Sequence, residues 1–224
     1  MTGLVRKALL LAVCGLLSAG VAVAHVPDPA NSFCPSACLY VVGHDGSTGD
    51  PIAEYCVTVR DFNNVAIENS SVVIDFSDCD LQLCIDQLDA GVIVDCASQT
   101  VRKLTNASGV ACFKVIGKSR PGLDCSGAPK PCANIFADGV FLCAVFAPTF
   151  DLVNDPAAGV GGNDFSEFLH LFFDCGIYLT RIDYNCDNQI TGDDFSNFLA
   201  VFYAGASAAN CPPPKDPQVG PKCP

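Results

Sequence analysis

Residues 55–62 read YCVTVRDF, and residues 71–76 read SVVIDF. Both runs are rich in β-branched and aromatic residues and end at Asn, Asp or Ser, which is typical of short strands closed by turns. Further runs of this kind lie between residues 34 and 148, at 39–42, 92–94, 100–104, 109–116 and 140–146. The stretch shows no 3.6-residue apolar period, so no helix is predicted in it. We therefore expect a two-sheet β-sandwich of about seven strands.

Three segments of this stretch resemble a bacterial Ig-like domain of the invasin/intimin type. They are CVTVRDFNN from Cys56, SVVIDF from Ser71 and TNASGVACF from Thr105. Gly109 enters the strand of the third motif, where a tight turn often needs a positive φ. The resemblance implies an Ig-like sandwich over residues 25–148, although its ten cysteines stand at positions that are usually apolar in such modules.

Two ten-residue segments near the C-terminus repeat one pattern. DFSEFLHLFF begins at Asp164 and DFSNFLAVFY at Asp194, and six of the ten positions are identical. In each segment Phe and Leu fall at the i, i+3, i+4 and i+7 spacing of one helix face. A repeat of this length predicts two copies of one loop–helix unit, with the Phe-rich faces packed on each other.

The segment before the second helix, DYNCDNQITGDD at 183–194, carries oxygen side chains at regular positions. Ca²⁺ takes about six to eight oxygen ligands, and one loop can supply them from positions 1, 3, 5, 7, 9 and 12. The predicted ligands are Asp183, Asn185, Asp187, Gln189 through its carbonyl, Thr191 through water, and Asp194. Asn188 stands at position 6, where a residue that tolerates a left-handed backbone is needed. The alternative is an acidic turn that only caps the helix.

The loop before the first helix is less regular. Counted back from Asp164 without a gap, it places Val153 at position 1 and Ala157 at position 5. Two extra residues bring Asp151 and Asp155 among the ligands instead. The sequence predicts a degenerate loop with Asp151, Asp155 and Asp164 as candidate ligands, and it leaves open whether that loop holds a metal.

Two calcium-loop–helix units without an entering helix resemble a dockerin, over about residues 150–205. The resemblance implies a small α-helical, EF-hand-type module that binds Ca²⁺ and a cohesin-like or cell-surface protein, in a setting where polysaccharide is a further possible partner. Gly192 and Asp193 depart from the Ser/Thr pair that is frequent in cellulosomal dockerins. The predicted organisation is a signal peptide at 1–24, the Ig-like domain at 25–148, the repeat pair at 149–205 and a Pro-rich tail at 206–224.

The N-terminal residues have the pattern of a secretory signal peptide. Arg6 and Lys7 precede the apolar run 8–17, and residues 22–24 read AVA, which suits cleavage after Ala24. The apolar run is too short to span a bilayer. We expect a secreted or cell-surface protein, with no membrane insertion after cleavage.

The 15 cysteines favour a disulfide-rich protein. Cleavage after Ala24 would leave 14, an even number, and no C-x-x-C spacing suggests a thiolate metal site. Three close pairs are interpreted as local loop crosslinks: Cys34/Cys38, Cys79/Cys84 and Cys125/Cys132. Ten cysteines fall in the predicted sandwich and four in the C-terminal part, so each unit is expected to close its own bridges.

The net charge of −12 argues against a nucleic-acid partner. The sequence has no H-E-x-x-H, no G-x-S-x-G and no Gly-rich phosphate loop, so no catalytic residue is predicted. The expected function is a non-catalytic calcium-binding module for extracellular attachment or assembly.

A polysaccharide-active protein is the alternative. Cleavage after Ala24 would make His25 the first residue, and a β-sandwich with an N-terminal His resembles a copper-dependent lytic polysaccharide monooxygenase. His44 or His170 would then supply the second imidazole. An accessory subunit of a glycan-degrading complex is the other form of this alternative.

Overall fold

A computed structural model describes residues 25–42, 54–84, 87, 89–120, 123, 125, 131–153 and 160–203. The strands are β1 Val41–Val42, β2 Tyr55–Thr58, β3 Ser71–Asp75, β4 Leu81–Leu83, β5 Ile93–Asp95, β6 Thr100–Leu104, β7 Val110–Phe113, β8 Val115–Ser119, β9 Ala133–Ala137 and β10 Val140–Val145. The helices are α1 Gly162–Phe173 and α2 Gly192–Tyr203, with a short 3₁₀ turn at Thr180–Ile182. The described chain is therefore mostly β, as predicted, followed by a small helical part. None of its helices has the length and apolar character needed to cross a membrane.

The described strands form three hydrogen-bonded sheets. The largest has the antiparallel order β10-β9-β3-β6-β5. β2 pairs with β7 antiparallel, whereas β8 pairs antiparallel with β4 and parallel with β1. A single bridge from Val41 to Thr149 links β1 to the segment that leads to the helices.

One apolar core is shared by the three sheets. Val72 and Ile74 alternate along β3 with half-buried residues, because successive strand side chains point to opposite faces. Phe113 of β7 and Leu83 of β4 belong to the same cluster of buried side chains. Burying each large apolar side chain contributes roughly 1.5–3 kcal/mol, so this core holds the sheets together.

The two helices pack through their phenylalanines, as the repeat predicts. Phe168 of α1 stacks on Phe198 of α2 with ring centroids 4.7 Å apart, and Phe165 lies 5.4 Å from Phe202. Both helices begin two residues before the quoted segments, at glycine. The sequence located both helices because both segments carry the same helical spacing of apolar residues.

Aromatic stacking joins the helical part to the sheets. Phe150 stacks on Tyr184 at 4.4 Å and on Tyr40 at 5.6 Å, and the Tyr40 hydroxyl donates a hydrogen bond to the Tyr184 carbonyl. The Tyr184 hydroxyl in turn donates to the Thr149 carbonyl at 2.9 Å. The linker between the two predicted units is therefore packed into their common boundary.

The disulfides correct the prediction of local crosslinks. Five pairs are Cys34–Cys143, Cys38–Cys186, Cys56–Cys112, Cys79–Cys132 and Cys125–Cys175. Cys84 and Cys96 are also disulfide-bonded. All three proposed close pairs were wrong, because cysteines near each other in sequence face different elements of the fold.

The expectation that each unit closes its own bridges was also wrong. Cys38–Cys186 and Cys125–Cys175 both connect the sheet part to the helical part. Their partners are 148 and 50 residues apart in sequence. The boundary between the two parts is thus crosslinked covalently at two places.

Strand prediction failed at particular points. The predicted run 109–116 is interrupted at Lys114, and the run 55–62 leaves the sheet after Thr58, so that Phe62 is 76% exposed in a turn. β4 and β9 were not predicted. β9 is flanked by β10 and β3 in the largest sheet, but its sequence ANIFA has a single β-branched residue and carries little local signal.

Candidate metal centre

The predicted loop 183–194 folds around the carboxylate of Asp183, which is fully buried. Its Oδ2 accepts hydrogen bonds from the Asn188 N–H at 3.0 Å and from the Tyr178 hydroxyl at 2.5 Å. Its Oδ1 accepts from the Asp187 N–H at 3.3 Å. The first predicted ligand therefore lies inside the loop, and Tyr178 is a neighbour that sequence reasoning missed.

The next two predicted ligands each accept a hydrogen bond from the backbone two residues further on. Asn185 Oδ1 accepts from the Asp187 N–H at 3.1 Å, and Asp187 Oδ1 accepts from the Gln189 N–H at 2.8 Å. Asn and Asp side chains favour such turns because they reach the backbone two residues on. The Asn185 amide also donates to Asp187 Oδ2 at 3.0 Å, so these two side chains are in contact.

The backbone of the loop curls through left-handed residues. Asn188 has φ +66° and Cys186 has φ +56°. The left-handed conformation expected of Asn188 is confirmed. Asn is among the few residues other than glycine that adopt this conformation readily, which lets the loop close without a glycine at position 6.

Asp194 closes the loop and starts the helix. Its Oδ1 accepts from the backbone N–H of Tyr184 at 2.7 Å and of Asn185 at 3.3 Å, and its Oδ2 accepts from the Thr191 N–H at 2.8 Å. The last of these bonds satisfies an amide at the helix N-terminus. Burial raises the pKa of Asp194, and the negative charge of Asp183 adds to that rise. Helix capping and the predicted cation-binding position therefore fall on one carboxylate.

The donor set suits a hard cation. Carboxylate, amide and carbonyl oxygens from one short loop are the ligands that Ca²⁺ prefers. Asp183, Asp187 and Asp194 do not bring one oxygen each to within 4.8 Å of one another, and their oxygens are bonded to loop amides. These residues fit calcium in their chemistry and in their order along the loop.

The first loop reproduces the same closing interaction. Asp164 Oδ1 accepts from the N–H groups of Leu152 at 2.7 Å and Val153 at 2.8 Å, and its Oδ2 accepts from the Gly161 N–H at 2.7 Å. Leu152 thus occupies the place that Tyr184 has in the second loop. The first loop is two residues longer, which agrees with the predicted insertion and gives Asp151 the position of Asp183. Asp155 lies outside the described residues.

Among the residues that the structure describes, two other groups of side chains have ligand atoms close together. They are Cys125, His170 and Cys175, and Glu54, Cys56 and Cys112. Each group contains a disulfide, and disulfide sulfur lacks the negative charge of the thiolate that binds metals. In the oxidised protein neither group offers a thiolate.

The candidate copper ligands are placed differently. His25 Nδ1 shares a hydrogen bond with Asp61 Oδ2 at 2.6 Å. This is the ring nitrogen that could share a metal ion with the amino group of the same residue. His170 Nδ1 lies 3.0 Å from Asp174 Oδ2, and His44 is outside the described residues. The structure therefore brings no second imidazole to His25 within the described chain.

The fold and the loop together define a class: a disulfide-linked β-sheet protein with a paired loop–helix unit and an oxygen-rich loop. Comparisons with protein-family models, curated proteins and solved structures found no match for the chain. The Ig-like and dockerin-like resemblances consequently rest on the sequence motifs.

Proposed function

We propose that this chain is a non-catalytic, calcium-binding protein that serves extracellular or cell-surface attachment or assembly. The loop 183–194 is its metal site. The observation that supports this most directly is the set of hydrogen bonds from the loop backbone to Asp183, Asn185 and Asp187, which orders three oxygen side chains on a loop that Asp194 closes.

Each predicted ligand of the loop has a defined role in this proposal. Carboxylates of Asp183, Asp187 and Asp194 hold the ion, with the amide oxygen of Asn185. The Gln189 carbonyl completes the set, and Thr191 contributes through water. Bound calcium supplies positive charge at a loop whose first and last carboxylates are both fully buried.

Electrostatics support a cation in this place. A buried carboxylate is costly unless it is paired, and two of them in one loop repel each other. The raised pKa of Asp194 reflects burial and then this repulsion. A divalent cation lowers both costs, so calcium is expected to stabilise the folded loop.

A groove beside the loop is the proposed attachment surface. A groove of about 270 Å³ lies between the end of α1 and the loop, with Phe172, Ile177, Tyr178 and Gln189 among its lining residues. Because the same groove touches the metal loop, calcium would shape it. A cohesin-like or cell-surface protein is the proposed partner, in keeping with a dockerin-like module after an Ig-like sandwich.

Calcium titration of the full chain tests the metal site. We expect EDTA to lower the melting temperature and calcium to restore it. Asp187→Ala should lose most of this response, whereas Asp193→Ala removes the same charge from an exposed position of the same loop and should keep it. Absence of any calcium effect on the unmodified chain would refute the proposal.

A further inference from the structure

We propose that the first loop of the repeat is not a calcium site, because Lys118 of strand β8 supplies its positive charge. The chain then binds one calcium ion, in the second loop, and Asp151 of the first loop makes a permanent, metal-free contact with strand β8. This inference rests on the proposed calcium function only for the stoichiometry. The role of Lys118 stands on contacts of its own.

Alignment of the two loops shows which residue of the first loop corresponds to Asp183. Asp164 and Asp194 close their loops through the same three amide contacts, and these contacts align Leu152 with Tyr184. The preceding residues, Asp151 and Asp183, are therefore equivalent. Both carboxylates are buried, at 1% and 0% exposure.

The environments of these equivalent carboxylates differ. The ammonium Nζ of Lys118 lies 3.6 Å from Asp151 Oδ2, and Lys118 itself is 1% exposed. The adjacent Ser119 N–H donates to the Asp151 carbonyl at 2.7 Å. Strand β8 therefore contacts both the side chain and the backbone of Asp151. Asp183, by contrast, is surrounded by amides and a hydroxyl, as described above.

The ammonium group of Lys118 compensates the negative charge of Asp151, as a bound metal ion would. Lysine carries a compact charge with three donors, and a buried carboxylate requires such a partner. The same charge repels a second cation at short range, most strongly where water is excluded. A calcium ion would have to displace this ammonium before it could bind Asp151, the first position of the loop.

The two loops therefore have different roles, one structural and one metal-binding. The Lys118–Asp151 pair fixes the helical part to β8 whether or not calcium is present. The second loop exchanges its ion with the medium. Removal of calcium should therefore loosen residues 183–194 without releasing the helical part from the sheets.

Counting calcium ions on the full chain by native mass spectrometry and calorimetric titration is the first test. We expect one ion per chain. Two ions would overturn the inference and leave the proposed function intact. No ion would overturn the proposed function, and the contact of Lys118 with Asp151 would then be decided by the variants below.

A double-mutant cycle in EDTA tests the ion pair itself. Lys118→Met and Asp151→Asn should each lower the melting temperature, and the combined variant should lose clearly less than both losses together, because neither buried charge is left alone. The pair Lys103 and Asp89, with an ammonium–carboxylate distance of 2.9 Å, provides a comparison cycle for an ion pair within the sheet part. Purely additive losses at Lys118 and Asp151 would overturn the inference.

Discussion

Cys186, the fourth residue of the proposed calcium loop, is disulfide-bonded to Cys38, which precedes strand β1. Two residues before Cys186, the Tyr184 carbonyl accepts a hydrogen bond from the Tyr40 hydroxyl of the same N-terminal segment. The loop is therefore fixed to the sheet part both covalently and by hydrogen bonding. A loop ordered in advance loses less conformational freedom when it binds an ion, which favours affinity.

Removal of this disulfide is expected to weaken calcium binding as well as stability. Cys38→Ser/Cys186→Ser should lower the free energy of unfolding by roughly 2–5 kcal/mol, as for other native disulfides. Calorimetric titration should also show a larger calcium dissociation constant. Cys34→Ser/Cys143→Ser removes a bridge of comparable sequence separation that joins two residues of the sheet part and none of the loop, and it should affect stability alone. Unchanged calcium affinity in the first variant would contradict the prediction.

The equivalent carboxylates Asp164 and Asp194 should separate structural from metal-binding roles. In Asp164→Asn and Asp194→Asn an amide group replaces one acceptor oxygen among buried backbone N–H groups. Each change should cost about 1–3 kcal/mol in the metal-free chain, measured by urea unfolding. Only Asp194→Asn should also reduce the calcium response. An equal loss of calcium response in both variants would show that the first loop binds the ion too.

The stabilising effect of calcium should depend on pH. Burial, and then the charge of Asp183, raise the pKa of Asp194 above its ordinary 3.8. A carboxyl whose pKa is higher in the folded state contributes stability below the ordinary value, and this contribution is lost as the pH rises through the raised pKa. Calcium binds the deprotonated form and compensates for that loss.

The calcium-induced rise in melting temperature should therefore be largest at neutral pH and shrink as the pH falls through the raised pKa of Asp194. Melting curves recorded with calcium and with EDTA over a pH series measure this directly. The shrinkage should begin above 3.8. A calcium effect that stays constant down to that value would be inconsistent with protonation of Asp194.

Two turn glycines give a matched test of the sheet part. Gly109 has φ +73°, and a Cβ atom there would lie 2.5 Å from the Val59 carbonyl oxygen; Gly139 has φ +82° with nothing within 4 Å. Alanine at either position must adopt a left-handed conformation, which destabilises the folded state by about 1–2 kcal/mol. Gly109→Ala should be the more destabilising in urea unfolding, because it also displaces the Val59 backbone. Equal losses would mean that this turn relaxes freely.

Local patterns in the sequence were sufficient for a substantial part of this structure. The helices α1 and α2 were predictable because their Phe and Leu residues recur at the i, i+3, i+4 and i+7 spacing of one helix face. The turns at Asp183, Asn185 and Asp187 follow from side chains that reach their own backbone two to five residues away. Strands β2, β3 and β6 were recognisable because β-branched residues fill them. In each case the interaction that forms the element lies within the element.

The remaining features depend on residues brought together from distant parts of the chain. The partners of Cys38 and Cys125 are determined by how the helical part packs on the sheets, so close spacing in sequence was misleading. β9 is a strand because β3 and β10 flank it, although its own residues favour a strand weakly. Lys118 resembles an ordinary exposed lysine in the sequence, and only the fold places its ammonium beside Asp151. Sequence by itself determined the oxygen-rich loop and its helix, whereas tertiary structure decided what surrounds each buried carboxylate, because burial and charge pairing arise only when separate elements pack.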